Sequence, residues 1–116
     1  MADPVVGSFD RAEEVHEQGD GRARAEFVDL NGKKIGRARM EPGWRWSLHG
    51  KPDAGTDSCE IEHIGYVVQG RLAVRMDDGT EVEIGPGEAY HVPPGHDAWV
   101  VGDEAVVHVD FSALAR

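Results

Sequence analysis

The reactive inventory of the chain is short: six histidines, one cysteine and two tyrosines among 116 residues. Neutral imidazoles are general ligands for first-row metals and a thiolate adds a soft donor, so these residue types point to metal chemistry. Other chemistries lack a pattern, because the sequence has no nucleophile triad, no phosphate-cradling loop and no paired carboxylates at a recognisable spacing. Cys59 is the sole cysteine, which excludes an intramolecular disulfide and leaves nothing to favour an oxidising compartment. His16, in the expected N-terminal arm, reads as a residue without a functional role. His91 and His108 sit in apolar stretches, where each either packs or lines a pocket. Tyr66 and Tyr90 carry hydroxyls that can hydrogen-bond a ligand or a buried partner.

The elements that must position these groups are short. Fifteen glycines and six prolines punctuate segments rich in Val and Ile, the pattern of many brief strands joined by tight turns. Residues 1–20 are expected to form an N-terminal arm, with one or two helical turns over 9–17 capped by Ser8. Residues 21–116 then form a single β domain. Strands 23–30 and 33–40 flank Asn31-Gly32, a two-residue hairpin turn whose positions both tolerate positive φ. Trp44, Trp46 and Leu48 alternate with Arg45, Ser47 and His49, which predicts a strand with one apolar face. Residues 50–58 form a polar loop. Further strands follow at 60–68, 71–76, 80–84, 88–92, 96–101 and 105–111, separated by Gln69-Gly70, Asp77-Asp78-Gly79, Pro86-Gly87 and Pro93-Pro94-Gly95. Without long helices, such a set folds as a sandwich or barrel.

Charge narrows the partners. The net charge is −10, from 22 acidic and 12 basic residues, and no compact Lys/Arg cluster offsets it. Such a surface repels phosphate backbones and anionic membranes, so no nucleic acid and no membrane partner is expected. No apolar run approaches the roughly 20 residues needed to cross a bilayer, and the start of the chain lacks signal-peptide features. A cytoplasmic location is the expectation.

Two motifs carry a resemblance. Gly87, Pro93 and Gly95 have the spacing of a glycine, five residues and Pro-x-Gly, and Tyr66-Val67-Val68-Gln69-Gly70 has the form Y-V-x-x-G. Together with Pro42, Gly43 and His49, they make residues 38–111 resemble the cupin superfamily. The resemblance implies an all-β, double-stranded β-helix or jelly-roll barrel with at most a short N-terminal helix. It also implies an interior divalent metal (Zn, Fe, Mn, Ni or Cu) binding a small organic ligand.

The usual ligand positions are altered. A typical cupin supplies H-x-H, then a glutamate seven residues before the closing glycine, then a histidine three residues after Pro-x-Gly. Here those last two positions are His63 and Ala98, with His96 one inward step before Ala98 on an extended strand. Anchored on Pro42-Gly43, the H-x-H pair falls on His49 and Lys51; anchored on His63, it falls on Asp57 and Cys59. The first register is preferred, since loops absorb insertions readily. The resemblance therefore implies metal ligation by His49, His63 and His96, with Tyr66, His91 and Cys59 lining the ligand site and catalytic residues unassigned. Cys59 is either a fourth, soft ligand or an inert buried thiol. Asp97 should point away from His96 and satisfy backbone donors of the turn. Oxygenation or isomerisation is the chemistry such a centre would host; a metal-free ligand-binding or sensing module is the alternative. Trp44, Trp46 and Trp99 are read as packing or subunit contacts, and a homodimer is expected.

Overall fold

The computed structural model describes residues 3–115. Met1, Ala2 and Arg116, which fall within the arm and domain expected from sequence, lie outside the described residues. Among the described residues nine strands form: β1 (Glu14–Gln18), β2 (Ala23–Leu30), β3 (Lys33–Met40), β4 (His63–Gln69), β5 (Arg71–Met76), β6 (Glu81–Ile84), β7 (Ala89–Val92), β8 (His96–Val101) and β9 (Val106–Asp110). Three one-turn helices accompany them: α1 (Trp46–His49), α2 (Lys51–Ala54) and α3 (Ser112–Ala115).

The strands make two antiparallel sheets, β1-β2-β3-β9-β4-β7 and β6-β5-β8. From β4 onward the chain passes repeatedly between them, placing β5, β6 and β8 in one sheet and β4, β7 and β9 in the other. That is the jelly-roll arrangement expected, although strand pairing leaves two facing sheets and does not close a barrel. Val67, Val74, Leu72, Ile84, Val100 and Val106 fill the space between the sheets. The β2–β3 hairpin turns at Asn31 (φ 56°) and Gly32 (φ 83°), a conformation open to Asn and Gly at little cost.

Two expected elements differ. The helix over 9–17 is only a 3-10 turn at Phe9–Arg11, with Ser8 Oγ accepting from the Asp10 amide. Beyond it, Glu14–Gln18 pairs with β2, and the His16 ring packs edge-on to Phe27. The strand expected over 44–48 stops at Arg45, which bridges to Trp99 of β8 before α1 begins. Side chains reaching the first turn of α1 favour the helix: Asp97 Oδ1 accepts from the Ser47 amide (3.0 Å) and His49 Nδ1 from the Arg45 amide (3.1 Å). Asp97 thus points away from His96 as expected, but its backbone donors are the Ser47 amide of α1 and the Ala98 amide of β8, not those of the Pro-Pro-Gly turn. The consequence is that Trp46 is buried while Leu48 is 66% exposed.

Candidate metal centre and cavity

A cavity of about 320 Å³ opens between the sheets. Its position follows from side-chain parity. On β8 the buried residues alternate as His96, Ala98 and Val100, with Asp97 and Trp99 outward, where Arg45 stacks 4.3 Å over the Trp99 ring. On β4 the inward residues are His63, Gly65 and Val67. The register Gly65↔Asp110 and Val67↔His108 turns Asp110 and His108 of β9 inward as well. Cys59 joins through a bridge to His96, their backbones exchanging hydrogen bonds of 2.8 and 3.2 Å.

Three donors converge at this end of the cavity. One ligand atom from each of Cys59, His63 and His96 lies within 4.8 Å of the others. Cys59 Sγ stands 3.7 Å from His63 Nε2, and the two imidazole rings are 5.3 Å apart at 69°. The far nitrogen of each ring is engaged: His63 Nδ1–H donates to Asp110 Oδ2 (2.9 Å), and His96 Nδ1–H to the Pro93 carbonyl (2.9 Å). Both contacts fix the tautomer that leaves Nε2 as the free donor, the outer support that metal-binding histidines ordinarily have. Asp110 is held in turn by the Ser112 amide (2.6 Å). One sulfur and two imidazole nitrogens suit a borderline-soft divalent ion. Donor atoms within 4.8 Å of one another are close enough to face a single ion.

The electrostatics follow from these contacts. Burial alone would raise the Cys59 thiol, but hydrogen bonds from His63 and His96 outweigh it and bring the thiol to about 6. Burial would lower His63, yet its bonds to Asp110 and Cys59 push it up to about 9. Asp110 would rise on burial but is held at about 2 by His63 and Ser112. Without metal, neutral pH therefore gives a thiolate–imidazolium–carboxylate row. Deeper in, the Tyr90 hydroxyl lies 2.7 Å from His108 Nδ1. Burial keeps His108 neutral, lowering it to about 4 against the pull of Asp110. Burial and the Asp110 charge raise Tyr90.

Of the residues expected at the site, the structure brings together His63, His96 and Cys59. His49 stays apart: it ends α1, its ring packs against Gly19, and its Nδ1 caps the Arg45 amide. Tyr66 is on the outer face of β4, stacked 6.2 Å from Phe111, because it alternates with inward Gly65 and Val67. His91 is likewise outward on β7 and pairs with Glu62 (2.9 Å), while its neighbours Tyr90 and Val92 line the cavity. His16, read as having no functional role, stands at the cavity rim, bonded to Glu14 (2.8 Å). Asp110 was missed altogether. Its signal was the alternation Val106-His108-Asp110, obscured because the outward Val107, Val109 and Phe111 are the more apolar set.

The family model for the cupin domain matches residues 38–111. Solved structures share the fold at low identity. A protein of unknown function from Acinetobacter sp. ADP1 superposes with a TM-score of 0.62 at 14% identity, covering 85% of this chain and 89% of that one. A cupin-superfamily sugar phosphate isomerase from Silicibacter pomeroyi gives 0.61 at 18% identity, covering 89% and 71%. A cupin-like protein from Thermotoga maritima gives 0.53 at 16% identity, covering 76% and 65%. No curated protein matches the chain by sequence. Among the described residues no helix is long and apolar enough to cross a membrane.

Proposed function

The chain belongs to the cupin family, and on that premise we propose that its cavity binds a small organic molecule at a divalent metal held by Cys59, His63 and His96. The observation that carries this reading is the convergence of three donors whose two imidazoles are each pre-oriented from behind, by Asp110 and by the Pro93 carbonyl. When bound, the ion supplies Lewis acidity toward a ligand oxygen, the property that oxygenation and isomerisation both draw on. The chain's own residues do the rest. Asp110 holds the His63 proton at Nδ1, Cys59 contributes the soft donor, and apolar walls exclude water from the bound molecule. A cluster that depends on a free thiol suits a reducing compartment, which favours the cytoplasm.

A metal-free binding or sensing role is the second reading. What favours it is that the thiolate, imidazolium and carboxylate satisfy one another without an ion. Elemental analysis of protein purified without tag or chelator, followed by calorimetric Zn²⁺ titration of wild type and His96→Ala, separates the two. The first reading expects near-stoichiometric metal and its loss in the variant; negligible uptake by both proteins removes it in favour of the second.

A further inference from the structure

Strand register builds a second polar pair on the cavity floor. Gly65 of β4 stands between Asp110 of β9 and Tyr90 of β7. Lacking a side chain, Gly65 lets Tyr90 reach across β4; a Cβ there would stand 2.8 Å from the Tyr90 hydroxyl. The hydroxyl thereby meets the next inward residue of β9, His108, 2.7 Å from its Nδ1. Two residues of strand, about 7 Å, separate His108 from Asp110.

The direction of that hydrogen bond decides what the other ring nitrogen offers. Burial and the Asp110 charge keep the Tyr90 hydroxyl protonated, and among the described residues His108 is its one partner. The hydroxyl proton is satisfied when Tyr90 donates, which makes Nδ1 the acceptor and puts the imidazole proton on Nε2. Burial also keeps the ring neutral, so Nε2–H is an uncharged donor. Among the described residues that are not exposed, only Trp44 Nε1 is both sealed from water and without a hydrogen-bond partner. His108 Nε2 has no partner either, so it is not sealed. His108 is 9% exposed, points inward on β9 and lines the cavity, so the space its Nε2 meets is the cavity.

The floor in front of this donor is small and apolar. The row of His108 continues through Ala38 of β3 and Ala25 of β2 to His16 of β1, at the rim. Two alanines on strands about 4.8 Å apart leave a shallow trough from the rim to His108. Leu72, Val74 and Ala98 of the smaller sheet face it. A trough ending in one uncharged donor selects a neutral acceptor. A carboxylate would meet the nearby Asp110 charge and call for an imidazolium that burial disfavours. A carbonyl oxygen meets neither penalty.

We propose that His108, its Nε2–H oriented by Tyr90, binds the carbonyl oxygen of a small ketone whose apolar body lies over Ala38 and Ala25. This rests on the reading of the cavity as a ligand site. A volume of about 320 Å³, at the small end for such sites, fits one substituted ring or a branched chain.

The probes are acetophenone and α-methylstyrene, which share a shape and differ in whether oxygen or CH₂ ends the double bond, titrated into EDTA-treated protein. Acetophenone should bind about three- to tenfold more tightly, the value of one hydrogen bond, and should also exceed benzoate. His108→Leu should abolish the preference while retaining α-methylstyrene, and Tyr90→Phe should reduce it by releasing the tautomer. In wild-type ¹H–¹⁵N spectra of the histidine rings, His108 should carry its proton on Nε2, and that signal should shift with acetophenone alone. This decides the matter even where His108→Leu does not fold. Equal affinities, a preference that survives either substitution intact, an unresponsive Nε2, tighter binding of benzoate, or no binding of either probe would each overturn the proposal. Failure of the metal reading is separately visible: the protein would take up no Zn²⁺ while the acetophenone preference persisted.

Discussion

Replacing Asp110 by Asn in metal-free protein removes one charge and little volume. The carboxylate holds the His63 proton across 2.9 Å, and His63 is pushed from 6.5 to about 9 by Asp110 and Cys59 together. Read by linkage at pH 7, that whole displacement corresponds to roughly 2–3 kcal/mol of stability. Cys59 accounts for part of it, so losing the Asp110 charge should cost less than the whole. The displacement of Asp110 itself, from 3.8 to about 2, reflects the same contact and a similar magnitude, and is not added. The sign differs at the two ends of the pH scale. The raised His63 stabilises fully below 6.5 and loses that contribution as pH rises through 9. The depressed Asp110 stabilises above 3.8 and loses its contribution as pH falls through 2. Wild type should therefore exceed Asp110→Asn by roughly 5–10 °C in melting temperature near neutrality. The gap should narrow as pH falls through 2 and close above about pH 10, beyond the range in which both groups are charged. Thermal melts from pH 2 to 10 in EDTA, with NMR titration of the His63 ring, measure both. A gap that is unchanged at pH 10, or a His63 that titrates identically in the two proteins, would refute the ion-pair account.

Three further outcomes follow from the same structure. His49→Ala should leave Zn²⁺ affinity unchanged and cost about 1 kcal/mol by calorimetry, since His49 caps the Arg45 amide and packs on Gly19 away from the cluster; loss of metal would return His49 to the ligand set. Gly65→Ala should cost more than about 3 kcal/mol in chemical denaturation, because a Cβ there collides with the Val109 carbonyl oxygen and crowds the Tyr90 hydroxyl; near-wild-type stability would contradict the packing of β4 on β9. The chain should pair through the outer face of its larger sheet, where Ile64, Tyr66 and Val68 are exposed together. Sedimentation at micromolar concentration should show a dimer that Val68→Glu converts to a 12.6 kDa monomer; a wild-type monomer would dismiss the interface.

The turns were the most legible part of the fold. Asn31-Gly32, Gln69-Gly70 and Pro93-Pro94-Gly95 bound strands close to where they form, because local backbone preference decides them. Residues 44–48 misled because their alternation fits a strand equally well, and only contacts from distant Asp97 favour a helix. The candidate cluster was legible in part for a related reason. His63 and His96 follow from motif spacing, and the second register for the missing pair had already pointed at Cys59. Tyr66 and His91 went astray on parity. In β4 and β9 the inward positions hold His63, Gly65, His108 and Asp110 beside Val67 and Val106, while Ile64, Tyr66, Val68, Val107 and Val109 face out. Hydrophobic alternation read alone turns such strands inside out. Functional strands break that rule where the interior must be polar.

The central claim is that Cys59, His63 and His96 together hold one divalent ion. Co²⁺ titration followed by absorption spectroscopy tests it most directly, because a thiolate ligand adds a near-ultraviolet charge-transfer band that imidazole and carboxylate ligands do not. Cys59 should already be a thiolate at neutral pH and His63 protonated, so binding should release one proton. Affinity should therefore rise about tenfold per pH unit between about 6 and 9. The account predicts a band that saturates at one Co²⁺ per chain and vanishes in both Cys59→Ser and His63→Ala. Saturable Co²⁺ binding without the band, or a band that survives Cys59→Ser, would contradict it.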